Sequence, residues 1–185
     1  TFTQDLWKTY KNVALKVISN IKIIADPFHV VRQFMWAFSR TRIALAKKKG
    51  LKTNKNWKLL TKSKTKLDKR GQDKLEALLD ADPELKAAHD AKETALEMFR
   101  CKDKALYLKL LPAFKELIDQ YNLVEFQKAY NSLLNWHDEI MNMFDYNYSN
   151  GAMERVNRTI KLVKNISFGV RNLSRVIKLI QYRVN

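Results

Sequence analysis

Three carboxylates and one imidazole are the side chains of this sequence that could share chemistry: Asp5, Asp26 with His29 three positions on, and Glu154. Asp5 closes the stretch TFTQD and Asp26 closes the apolar run IKIIA, so each follows a short extended segment and precedes a helical pattern. Carboxylates at the C-terminal ends of neighbouring strands can converge on one edge of a sheet, and a third from a later helix can close the cluster. Such a cluster is too repulsive to stay ionised unless cations join it. Mg²⁺ is a hard ion that takes oxygen ligands. Two such ions about 3.5–4 Å apart activate the attacking oxygen and stabilise the leaving one in phosphodiester chemistry. Each residue also has a plain structural reading. Asp5 could be an N-cap, and Asp26-Pro27 is a strong N-cap/N1 pair. Glu154 lies three residues past Gly151, where a first-turn glutamate suits the helix dipole. His29 alone reads as a satisfied first-turn histidine. Spacing leaves both readings open.

The elements that must position these groups are mostly helices. Residues 6–18 have helical spacing, 21–25 read as a buried strand, and 28–48 as a second helix, so the chain opens as a piece of α/β structure. A basic stretch with loop residues follows, anchored by Trp57, Leu59 and Leu60. From Gln72 to Asp145 the pattern predicts helices over 72–80, 83–110, 112–120 and 123–144, with Asp82-Pro83 as a start signal. Ser149-Asn150-Gly151 predicts a turn and a helix start, and a last helix begins near Asn172. On the helix after Gly151, Glu154, Asn157, Arg158, Lys161 and Asn165 share one face, opposite Val156, Ile160 and Val163. Four glycines and three prolines in 185 residues argue against an all-β fold.

The net charge is +16, and it is unevenly spread. Residues 40–74 hold 14 lysines and arginines against Asp68 and Asp73, and 150–185 hold 8 against Glu154 alone. Between them, residues 75–149 hold 8 basic and 14 acidic side chains. Two basic blocks around an acidic helical block point to a polyanion partner, nucleic acid above all, against a merely solvated lysine-rich surface. No apolar run approaches the length of a membrane span. The single Cys101 excludes an internal disulfide and suits a reducing cytosol; it is expected buried or half-buried on a helix. Phosphate-loop, dinucleotide, CxxC and HExxH motifs are absent, and His29, His89 and His137 lack zinc-ligand spacing.

Three blocks, QDLWKTYKNVALKV, KIIADPFHVVRQF and YSNGAMERVNRTIKLVKNISFGVRN, resemble in that order the C-terminal half of bacterial insertion-sequence transposases of the ISL3 family. The resemblance implies a DDE enzyme: an incomplete RNase H-like α/β core with few strands in a mainly α chain, carrying a large all-helical insertion. Residues 1–44 and 146–185 would belong to the core and 45–145 to the insertion. It implies Asp5 as the second acid and Glu154 as the third, both binding Mg²⁺ or Mn²⁺ at a two-ion site. Asp26-Pro27-Phe28-His29 is similar to the D-x-x-H signature between those acids, which helps hold DNA or the metal site. Arg155, Arg158, Lys161 and Arg171, which cluster near Glu154, are candidates for phosphate contacts. The implied partners are the element's terminal repeats and target DNA, with two copies brought together on DNA, in the bacterial cytoplasm at the nucleoid and away from membranes. The family's first aspartate has no candidate here. The opening TFTQD and the close at Asn185 suggest a fragment, expected to be inactive alone. The rivals are a non-catalytic basic helical nucleic-acid-binding module and a helical interaction protein.

Overall fold

The β-branched run before Asp26 folds as expected, into a short strand that pairs with the start of the chain. In this computed structural model β1 (Phe2–Gln4) lies parallel to β2 (Ile23–Ala25), with Phe2 opposite Ile23, Thr3 opposite Ile24 and Gln4 opposite Ala25. Parallel strands need a crossover, and α1 (Lys8–Val17) supplies it. The structure describes residues 2–4, 6–53, 56–146, 151–166 and 173–184, and among these no side chain at 2, 4, 10, 151–157, 164, 173, 180, 183 or 184. All three residues of β2 are buried, the mark of a strand covered on both faces rather than one that alternates.

Helix α2 (Pro27–Lys48) leaves β2 directly through Asp26. It buries Val30, Phe34, Ala37 and Phe38, one stripe at helical spacing, and ends at Lys49-Gly50, where Gly50 has a φ of +64°. That stripe meets α5 (Pro83–Arg100), whose facing residues include the buried Ala87, Ala88, Ala91 and Ala95. Phenylalanines on one helix and alanines on the other let the axes approach closely. Around this pair stand α3 (Trp57–Thr61), α4 (Lys69–Asp80), α6 (Lys104–Gln120), α7 (Val124–Asn135) and α8 (His137–Asp145). Phe34 meets Phe114 edge-on at 5.5 Å between ring centroids, and Phe114 continues to Phe126 at 6.4 Å, so one aromatic core links α2 to α6 and α7.

The core also contains an ammonium. Lys92 on α5 is fully buried, and its Nζ donates to the carbonyls of Leu60 (2.9 Å) and Lys62 (3.0 Å) at the open end of α3. Its Nζ also lies 3.2 Å from His89 Nε2 and 2.8 Å from Glu93 Oε1. Glu93 in turn accepts from Ser63 Oγ at 3.0 Å. Burial, reinforced by the Lys92 charge, pushes His89 down to about 4, so the imidazole is neutral and accepts from Lys92. Carbonyls that helix α3 leaves unpaired are thus satisfied by a charge whose own partner is beside it.

The chain is mainly helical, as expected, and three boundaries differ from the sequence reading. The predicted helix 83–110 breaks at residues 101–103: Lys102 takes a φ of +49°, and Asp103 starts α6 by accepting from the amides of Ala105 and Leu106. No break falls before 112, because α6 runs through Pro112 with the buried Tyr107 and Phe114 on either side holding it against the core. The predicted helix 123–144 divides at the buried Trp136 into α7 and α8. Cys101 is exposed at the end of α5, not buried within a helix, because the break falls there. The chain forms two units, residues 1–147 and 148–185. In the second, α9 (Gly151–Ile166) packs against α10 (Leu173–Val184). Among the described residues no helix is long and apolar enough to cross a membrane.

Candidate functional site

Asp26 stands where β2 becomes α2, and it is 4% exposed. Its Oδ1 accepts from the amide of Phe28 at 3.1 Å, the side-chain bond of an N-cap, with Pro27 at the first helical position where no amide is needed. Its main-chain carbonyl takes the amides of His29 (3.1 Å) and Val30 (3.2 Å). Its Oδ2 lies 3.2 Å from His29 Nδ1. A carboxylate oxygen accepts, so in this contact the Nδ1–H of His29 is the donor. The capping that sequence reading offers for Asp26 is therefore present, and the same carboxylate orients a histidine.

This corner is buttressed from the far end of the helical region. Asn142 on α8 donates from Nδ2 to the carbonyl of Ile23 at 2.9 Å, across 119 positions of sequence. Lys11 on α1 pairs with Glu139 on α8 and lies 5.2 Å from the centroid of the Trp136 ring. Lys22, next to β2, bonds the Tyr146 hydroxyl. Residues near 140 thus hold the strand that carries Asp26, a long-range dependence that no local motif announces.

The other predicted residues are less fully described. Asp5 and Arg171 lie outside the described residues. Glu154 and Arg155 lie on α9 with side chains outside them. Arg158 and Lys161 are exposed on α9; of the apolar face expected opposite them, Val163 is buried, Ile160 is exposed at 39%, and the Val156 side chain lies outside the described residues. Of the four catalytic candidates, the described geometry brings together Asp26 and His29. Lys92 and His89 carry no sequence motif, and the signal that could mark them is their three-residue spacing on the apolar side of α5.

The chain matches the ISL3-type DDE transposase family over residues 1–180 and belongs to it. It has no match among curated proteins and none among solved structures. Membership in a transposase family carries DNA as the partner class, and DDE transposases generally use divalent metals. Among the described residues no three histidines, cysteines or acids are grouped to hold such an ion. Asp26 and His29 give one carboxylate and one imidazole. By themselves they are fewer oxygen ligands than the six that Mg²⁺ takes, so further acids or water would have to complete its shell.

Proposed function

We propose that this chain carries the second and third acids of a DDE catalytic site, Asp5 and Glu154, and that they bind two Mg²⁺ or Mn²⁺ ions. The transposase so formed hydrolyses a phosphodiester at the ends of an insertion sequence and joins the freed 3′-hydroxyl to target DNA. Bound ions would stabilise charge on the attacking and leaving oxygens. His29, held by Asp26, positions DNA or water beside them. Arg155, Arg158, Lys161 and Arg171 neutralise backbone phosphates and carry no sequence information. In this reading residues 1–44 and 146–185 make up an RNase H-like core, and 45–145 are a helical insertion whose last helix braces β2.

The observation that carries the reading is the strand register. Gln4 pairs with Ala25, and the next residues in the chain are Asp5 and Asp26. In support, the family match over residues 1–180 takes in both strands and α9. The test is Glu154→Gln in the transposase that contains this chain. Cleavage should vanish while binding to element-end DNA stays within about two-fold, since phosphate contacts set that affinity. Equal loss of both would mean a folding role for Glu154. The competing reading, a non-catalytic DNA-binding module, is favoured by the finding that Asp26 is a working N-cap. It predicts no Mg²⁺ site that depends on Asp5 and Glu154.

A further inference from the structure

The outer face of α2 carries Phe28, Arg32, Trp36 and Arg40, four residues at a strict spacing of four, aromatic and cationic in turn. They form one row on the helix, successive members about 6 Å apart along its axis. The Arg32 guanidinium lies 5.6 Å from the Phe28 ring centroid and 4.8 Å from that of Trp36. Its Nε is buried without a hydrogen-bond partner, so the rings, not a carboxylate, hold this cation in place. Arg40 continues the row and pairs with Glu125 at 3.1 Å.

The row is costly as mere surface. Phe28 is 60% and Trp36 51% exposed, while the other side of the same helix packs Val30, Phe34 and Phe38 into the core. Two large rings left half in water contribute little to folding, and the arginine between them restricts their rotamers. The row begins at the corner already described: the Phe28 amide bonds Asp26, and its ring meets His29 edge-on at 5.4 Å.

We infer that Phe28, Arg32 and Trp36 form a stacking platform for unpaired bases of a DNA strand, set beside the Asp26–His29 corner. Exposed rings take the faces of any base, and the intervening guanidinium takes a phosphate or a further base face. An apolar protein partner fits less well, because a cation interrupts the apolar row and the chain carries a net charge of +16 that favours a polyanion. Bases of a DNA end that come out of the duplex near the reacting corner would find such a platform beside it. The inference rests on the DNA reading above.

The test compares a 12-nucleotide single strand containing 2-aminopurine with a duplex of the same sequence, using the wild-type protein, Phe28→Leu/Trp36→Leu and Trp36→Phe. Stacking is worth about 1–3 kcal/mol per base, so the double variant should bind the single strand at least ~10-fold more weakly and the duplex within ~2-fold. Trp36→Phe, which keeps a ring, should recover most of the loss. Circular dichroism melting of each variant confirms the fold; should the leucine variant unfold, Trp36→Phe and the 2-aminopurine quenching of the wild-type complex decide. Equal weakening for both DNA forms, or for neither, overturns the platform and leaves the DNA reading standing. Failure of the wild-type protein to bind either form overturns both.

Discussion

His89 makes the stability of the helical region depend on pH in a direction that can be worked out. The imidazole is 2% exposed, wedged beside the Lys92 ammonium, and its pKa falls from 6.5 to about 4 through burial first and the Lys92 charge second. The charged groups facing it are Lys92, Glu93, Asp90 and Lys64. A group whose pKa is lower in the folded chain binds fewer protons there than in the unfolded one, so its contribution is complete above pH 6.5 and is lost as pH falls towards 4. The full contribution is about 3 kcal/mol, and about 2 kcal/mol of it disappears between pH 7 and pH 5. His89→Gln keeps an acceptor for Lys92 and removes the titration. Urea unfolding of both proteins at pH 7, 6 and 5 isolates the term, because the carboxylates common to the two chains cancel to first order. Wild type should lose about 2 kcal/mol more than the variant over that range. Parallel pH profiles would show that His89 is not held neutral, and the reading of the Lys92 cluster would fail with it.

Other substitutions test the remaining supports. Lys92→Met preserves length but strands Glu93 and the carbonyls of Leu60 and Lys62, and should cost about 3–5 kcal/mol in urea unfolding, part of which Glu93→Gln should restore. Asp26→Ala should cost about 1–2 kcal/mol through loss of the cap, whereas Asp26→Asn, whose amide oxygen still accepts from Phe28 while its NH2 replaces the oxygen that faces His29, should cost less than Asp26→Ala, both read from thermal midpoints. Arg158→Gln with Lys161→Gln should lower the slope of log affinity against log salt for duplex DNA by about 1.8, roughly 0.9 for each phosphate contact removed.

Much of this architecture is legible in the sequence because it is local. The apolar run before Asp26 becomes β2, Asp26-Pro27 starts α2 and Asp82-Pro83 starts α5, since caps and periodicity act within one turn of the chain. What escapes is non-local. The burial of Lys92 depends on carbonyls some 30 residues earlier, and the brace from Asn142 to Ile23 spans nearly the whole first unit. Pro112 reads as a boundary but lies inside α6, because packing by Tyr107 and Phe114 outweighs the lost amide. The Asp26–His29 contact is legible as D-x-x-H spacing, while the half-exposed rings at 28 and 36 are not, since the helical row they occupy does not say which face meets solvent.

The central claim is that Asp5 and Glu154 bind the same divalent ions, with Asp26 close by. Paramagnetic line broadening by Mn²⁺ in the isotopically labelled protein tests it most directly. The account predicts that at low Mn²⁺ the amide signals of residues 5, 26 and 154 fade together, and that Glu154→Gln abolishes the effect at all three. Broadening at the carboxylates of α4 and α5, or at residues 5 and 154 independently of each other, would contradict it.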